Sequence, residues 1–356
     1  MNHTSTRDVV SFIDNDHVLN LAMALLQGRD ATTVRAFEDF LRPERLDVDL
    51  VFDTPPLDGV DLVGPPTTYG DVGNPPPNTT VLVVRRTPVT AELMAGLPLL
   101  RHVQKLGDQA DTVDLAWAAA NGVTVECVPR PSLEATAEHT VLLMLALVHG
   151  LRAADRAART PSDTGGTEPG YNWAGLADLG TLQGRTVGLI GLGEVGVRVA
   201  RRLCALGVHV HYWSRARRSP EVERQLGVTW RDRNQLLAES DLISLHVPGT
   251  PANRALVDGD FLRRMRPDAF LVNVARGSLI DEAALIRALR ERHIRGAALD
   301  VHAKEPRPPA DPMLAMEDVI LTPHIAGGLR SHALAEVRTV AQGVIRSLNS
   351  VREGRP

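Results

Sequence analysis

Cysteine is nearly missing from this chain of 356 residues, which has only Cys127 and Cys204. One pair is no disulfide framework, and neither cysteine belongs to a metal-spaced cluster. Both are expected to be reduced and packed as small hydrophobes, and no metal site is expected. Long apolar runs are missing too: none approaches the roughly 20 residues that cross a bilayer. The opening residues, MNHTSTRDVVSFIDNDH, lack a basic region followed by an apolar run. No secretory signal is therefore read, and a cytoplasmic location with no membrane partner is expected. Strong charge of either sign is also absent, with 39 Lys and Arg against 43 Asp and Glu. That balance leaves no basic footprint for nucleic acid. What is present is an ordinary globular composition, 44% hydrophobic and 23% charged, long enough for two domains.

The pattern along the chain is α/β. DVVSFID (8–14) and TTVLVVRR (79–86) read as strands. TAELMAGLPLL follows as a helix, RHVQKLG as a strand, DLAWAAANG as a short helix and VTVECVP as a further strand. Strands alternating with helices imply a parallel sheet. The stretch TPPLDGVDLVGPPTTYGDVGNPPPNTT is dense in Pro and Gly and reads as loop. SLEATAEHTVLLMLALVHGLRAADRAA reads as one long helix leaving this block, and RTPSDTGGTEPGYNW as an exposed loop. A second doubly wound block opens at GRTVGLIGLG. It continues through HVHYWS, DLISLHVP, DAFLVNVA, RGAALDV and VILTPH, short apolar strands separated by helical segments. The tail SHALAEVRTVAQGVIRSLNSV is an amphipathic helix able to return to the first block. The expected division is 1–131, 132–327 and 328–356.

Gly191, Gly193 and Gly196 lie where an apolar strand meets a helical pattern, the context a dinucleotide fingerprint requires. Gly191 would make the tight turn, Gly193 would let the backbone approach a pyrophosphate, and Gly196 would allow close helix–strand packing. A structural glycine-rich turn is the bland alternative. An NAD-preferring protein usually places an acid at the end of the next strand. This chain reads VHVHYWSRARR there and offers none.

Three downstream stretches place polar residues at strand ends, where open α/β sheets bind ligands. NVARGSLIDEAAL carries Arg276, ALDVHAKEP carries Asp300 and Glu305, and LTPHIAGG carries His324. Hydride reduction of a carbonyl needs a proton for the developing alkoxide, which a histidine can deliver near neutral pH. A carboxylate on the other ring nitrogen orients the imidazole and favours its protonated form. An arginine beside them can polarise the carbonyl and hold a carboxylate in a bidentate pair. Singly, Arg276 reads as a surface ion pair, Glu305 as a solvated loop acid and His324 as a satisfied histidine. Together on one rim beside a cofactor turn, they read as catalysis.

With these motifs in view, the chain resembles the D-isomer-specific 2-hydroxyacid dehydrogenases, a family that includes glyoxylate/hydroxypyruvate reductases and phosphoglycerate dehydrogenase. VGLIGLGEVG, SDLISLHVPGTPANRALV, LVNVARGSLIDEAAL, ALDVHAKEP and LTPHIAG carry the resemblance, with a weaker match at VDLAWAAANGVTVECVPRPSLEATAEHTVLLMLAL. The resemblance implies a Rossmann cofactor domain inserted into a flavodoxin-like substrate domain, with the active site in the cleft. It implies His324 as acid/base, Glu305 as its partner and Arg276 as substrate anchor. It implies NAD or NADP held by Gly191, Gly193, Glu194, Val195 and Gly196 at the turn, and by Ser214 and Arg215 at the next strand end. Asp300 would bind the nicotinamide carboxamide, helped by groups around His246, Val247, Pro248, Val274, Ala275 and Gly327. A homodimer with the arm around YNWAGLADLG in its interface is implied as well. Formate dehydrogenase relatives carry an amide as the histidine's partner, so Glu305 places the resemblance in the hydroxyacid branch.

Two departures stand out. Ser214 replaces the cofactor acid, and Arg215, Arg217 and Arg218 follow it. Losing the acid removes repulsion of a 2′-phosphate and the arginines can bind one, so NADPH is expected to be favoured. The alternative is a solvated arginine face. In the substrate loop, relatives place a small residue and a glycine where this chain has Asp108 and Gln109, after Gly107. An acid there opposes an anionic substrate, so Asp108 either turns to water or pairs with a cation such as Lys105, or the substrate presents a donor. Two further readings of the whole chain remain: a dehydrogenase of another small anion, as in the related phosphite dehydrogenase, and a non-catalytic dinucleotide sensor of the corepressor type.

Overall fold

A computed structural model of the chain describes residues 7–42, 51–52, 56–64, 72–159 and 179–353. By packing, the chain divides into Met1–Ser132 with Leu329–Pro356, and Leu133–Gly328. In the first unit, β1 (Asp8–Phe12), β2 (Val60–Val63), β3 (Val81–Val84), β4 (His102–Leu106) and β5 (Thr124–Val128) form one parallel sheet in the order β2-β1-β3-β4-β5. All four residues of β3 are buried, as a strand covered on both faces should be. The helix Arg330–Arg352 returns to this sheet. Its Val337, Val340, Ala341, Val344 and Leu348 share a core with Val10, Phe12, Val81 and Val83. The Gln104 amide donates to Val340 O at 2.9 Å from within that core.

Several local expectations need correction. The Pro- and Gly-rich stretch read wholly as loop contains β2, a four-residue edge strand that among the described residues pairs only with β1. Helices His17–Gln27 and Ala31–Leu41 were not read from the sequence; Asp16 and Asp30 cap them by accepting from Val18 N and Thr33 N. The single long helix is two, Ser132–Val148 and Leu151–Arg159, broken at Gly150 with φ +59°. Glycine adopts that left-handed angle at no steric cost. The loop read at RTPSDTGGTEPGYNW and most of the YNWAGLADLG arm lie outside the described residues.

In the second unit, β6 (Thr186–Ile190), β7 (His209–Trp213), β8 (Val228–Trp230), β9 (Leu242–Leu245), β10 (Phe270–Asn273), β11 (Gly296–Leu299) and β12 (Val319–Leu321) pair in parallel. Their order is β12-β11-β10-β9-β6-β7-β8, so the direction of winding reverses between β6 and β9. That is the switch point where doubly wound sheets bind ligands. β8, three residues at the sheet edge, was not read from the sequence. Apolar residues cover both faces of the sheet, with Val187, Leu189, Val210 and Val272 on one side and Ile190, Ile243, Leu271 and Ala297 on the other. No helix of the described residues is long and apolar enough to cross a membrane.

Candidate active site

The chain leaves β6 and turns at once into the helix Glu194–Ala205. Gly191 makes the turn at φ +102°. A Cβ there would lie 2.6 Å from the His246 carbonyl oxygen, and one at Gly196 would lie 2.5 Å from the Gly191 oxygen. The turn therefore closes only without side chains at either position. Nothing stands within 4 Å of where a Gly193 Cβ would be, so this backbone opens on free space. Gly193 is also the N-cap and supplies no side-chain acceptor, leaving the first turn, with Glu194, Val195 and Gly196, uncapped from within. Such a helix end is polarised to receive an anion.

His246 follows β9 against this turn, its N–H donating to Ile190 O at 2.8 Å. Its Nε2 is 2.9 Å from Ser244 Oγ, while its buried Nδ1 has no partner. Burial pushes the imidazole down to about 4, so it stands neutral beside the turn. Val247 and Pro248 come next, and Pro248 O accepts from Asn253. The open cradle at Gly193, the uncapped helix end and the orphaned His246 nitrogen together fit a dinucleotide.

At the end of β10, buried Asn273 folds the following turn. Its Oδ1 accepts from Ala275 N at 3.0 Å and its Nδ2 donates to Arg276 O at 2.9 Å. Arg276 then caps the short turn Gly277–Leu279. A Gly277 Cβ would fall 2.0 Å from the His302 carbonyl, so this turn packs against the loop after β11. That loop carries Glu305. Its Oε2 meets His324 Nδ1 at 2.8 Å and its Oε1 accepts from His302 N at 2.9 Å. Burial works to raise the Glu305 carboxyl, but these bonds outweigh it and hold the group below the usual carboxylate range. Both side chains of the pair remain partly exposed, open to a reactant.

His324 sits just past β12 at φ +56°, an uncommon angle for a residue with a Cβ. Asp300 holds it there. The Asp300 carbonyl accepts His324 N at 2.8 Å. The fully buried Asp300 carboxylate accepts Thr322 Oγ1 at 2.6 Å and Ile325 N at 2.9 Å on one oxygen, and Ala326 N at 2.9 Å on the other. Because Thr322 gives its hydroxyl proton to Asp300, it must accept from His139 Nε2, 3.2 Å away. Gly327 follows in the same turn. Asp300 thus bonds the segment carrying His324, in addition to the cofactor contact expected of it. Asn273, Thr322 and His139 were missed from the sequence. Their roles rest on partners that composition does not signal.

Ser214 follows β7 beside the turn, since Gly191 N donates to Trp213 O at 2.8 Å, and its hydroxyl donates to Ala216 O. The three arginines differ. Arg217 makes a bidentate pair with Glu223 at 2.8 Å and lies over the Trp230 ring. Arg218 reaches Leu192 O with two nitrogens. Arg215 is exposed and has no partner among the described residues. In the other unit, Gly107 is buried at φ +141°, its N–H on Val128 O, and Asp108 and Gln109 are exposed. Lys105 is buried and donates to Leu106 O.

Comparison with known proteins places the chain in a family. Residues 141–326 match the D-isomer specific 2-hydroxyacid dehydrogenase, NAD binding domain. A glyoxylate reductase of Korarchaeum cryptofilum is 36% identical over 72% of this chain and 76% of its own length. A D-3-phosphoglycerate dehydrogenase of Mycobacterium bovis is 38% identical over 70% of this chain, but the match takes in only 45% of that longer protein. Among solved structures, an NADPH-dependent glyoxylate/hydroxypyruvate reductase of Sinorhizobium meliloti is 27% identical with a TM-score of 0.54, covering 94% of this chain and 93% of that one. These matches show the family: the chain belongs to the D-isomer specific 2-hydroxyacid dehydrogenase family of oxidoreductases.

Proposed function

We propose that this protein reduces a small 2-oxoacid to the D-2-hydroxyacid, with NADPH favoured over NADH. The observation that carries the reading is the 2.8 Å contact between Glu305 and His324 Nδ1, on the strand-end rim that also bears the glycine turn and Arg276. When bound, the nicotinamide supplies the hydride that adds to the carbonyl carbon. His324 Nε2, left free by the bond at Nδ1, gives its proton to the carbonyl oxygen as the C=O π bond breaks. The product is CH–OH, and the ring recovers a proton from water. Glu305 offsets the imidazolium charge and orients the ring. Arg276 grips the substrate carboxylate as a planar fork.

Arg215 and Ser214 are the residues proposed to meet a 2′-phosphate. Past Gly107, whose N–H is taken by Val128 O, the backbone N–H groups of Asp108 and Gln109 are proposed to meet the substrate carboxylate, and the exposure of Asp108 supports the reading that its side chain turns away from it. Assembly as a homodimer in the cytoplasm belongs to the same proposal, and light scattering tests the dimer. The deciding experiment is an absorbance screen at the nicotinamide band, with NADPH and NADH against 2-oxoacids including glyoxylate and hydroxypyruvate. His324→Ala should then cut reduction by roughly 100-fold or more and leave cofactor affinity intact. Near-native turnover in that variant would remove His324 as the acid.

A further inference from the structure

Glu305 is itself held in place by a cluster just beyond the site. Arg307 is buried, its side chain 7% exposed. Its Nη2 donates to Glu282 Oε1 at 2.6 Å, and its Nη1 pairs with Asp311. Its Nε donates to His302 Nδ1 at 2.9 Å. Both acids are anchored in turn: Glu282 Oε1 also accepts Ala303 N at 3.1 Å, and Asp311 accepts Met313 N at 2.9 Å.

A guanidinium has no acceptor and stays charged. His302 Nδ1 must therefore be the unprotonated nitrogen, and Nε2 must carry the proton it gives to Thr322 O, 2.8 Å away. The ring is clamped at both ends, between Arg307 and the segment that leads to His324. The backbone N–H of this same His302 holds Glu305 Oε1. Contacts thus run without a break from the ion-paired Arg307, through His302, to Glu305 and His324.

We infer that Arg307 is a positioning residue for the Glu305–His324 pair, holding His302 so that Glu305 pins His324 as the Nδ1–H tautomer. This rests on the reading of His324 as the proton donor. Free neutral imidazole favours the Nε2–H form, so an Nδ1–H tautomer reports on the partner at that nitrogen.

The test is long-range ¹H–¹⁵N spectroscopy of histidine-labelled protein at mildly alkaline pH, beside kinetics. In the native protein His324 should be Nδ1–H. In Arg307→Met it should shift towards Nε2–H, with kcat about tenfold lower, a fraction of the ~100-fold or more that a general acid contributes, and cofactor Kd unchanged. His302→Phe keeps the Arg307 ion pairs, so it covers the case in which Arg307→Met does not fold, and it should shift the tautomer in the same way. A native His324 tautomer in both folded variants would overturn the inference, even if their Tm had fallen. A native protein without the Nδ1–H form would overturn the Glu305–His324 pairing and this inference together. A tautomer that responds in a protein reducing no 2-oxoacid would uphold the positioning and refute the proposed function alone.

Discussion

Asp300→Asn changes one oxygen to an amide nitrogen and leaves the shape almost intact. Asp300 is fully buried and both oxygens accept hydrogen bonds: Thr322 Oγ1 and Ile325 N on one, Ala326 N on the other. The asparagine can keep its oxygen towards the two donors. Its amide nitrogen then faces the Ala326 N–H, donor against donor. An orphaned buried donor costs about 1–3 kcal/mol. The two surviving bonds lose their charge assistance, about half their strength. Relief from burying a carboxylate offsets part of this. The net is about 3 kcal/mol, and at about 2–4 °C per kcal/mol for a unit of this size, Tm should fall by roughly 6–12 °C. Calorimetry measures it, and kcat should fall too, because the loosened segment carries His324. A Tm within about 2 °C of the native value would refute the bonding assigned to Asp300.

The remaining predictions concern charge. The Glu305 carboxyl is held below its ordinary value of 4.5 by His324 and the His302 N–H, which outweigh burial. Its contribution to stability should therefore be complete above that pH and fade as pH falls through the lowered folded value. The stability difference between the native protein and Glu305→Gln, measured by urea unfolding, should shrink on acidification; a difference that grows would contradict the sign. Arg215→Ala should lower kcat/KM for NADPH by about tenfold, or about 1.4 kcal/mol, and that for NADH by less than about twofold, with the preference weakening as salt screens this exposed charge. An unmoved cofactor ratio, or a native preference for NADH, would remove Arg215 from the phosphate site. Asp108→Gly should change kcat/KM for glyoxylate or hydroxypyruvate by less than about threefold, since its side chain is exposed and an exposed loop acid is usually a bystander; a tenfold gain would instead show it facing the substrate.

Sequence alone determined the parts of this protein that are local. Gly191, Gly193 and Gly196 were legible because an apolar strand, three glycines and a helical pattern lie within one short stretch, and the turn needs nothing distant to form. Arg276 and His324 were legible because each stands just past an apolar strand, and Asp300 and Glu305 because both follow β11, and parallel strands put those ends on one rim. Edge strands β2 and β8 were not legible, since three or four residues pairing on one side carry little pattern of their own. The use of each charge was not legible either. WSRARR presents its arginines as equals, and only folding brings Glu223 to Arg217 and Leu192 O to Arg218, leaving Arg215 open. Likewise, Asp311 stands only four residues past Arg307, but nothing near HAKEPR in the chain shows that the distant Glu282 will join it in burying Arg307 against His302. A side chain's type is a property of the sequence, but its partner is a property of distance, and for residues far apart in the chain tertiary structure alone decides which charges become neighbours.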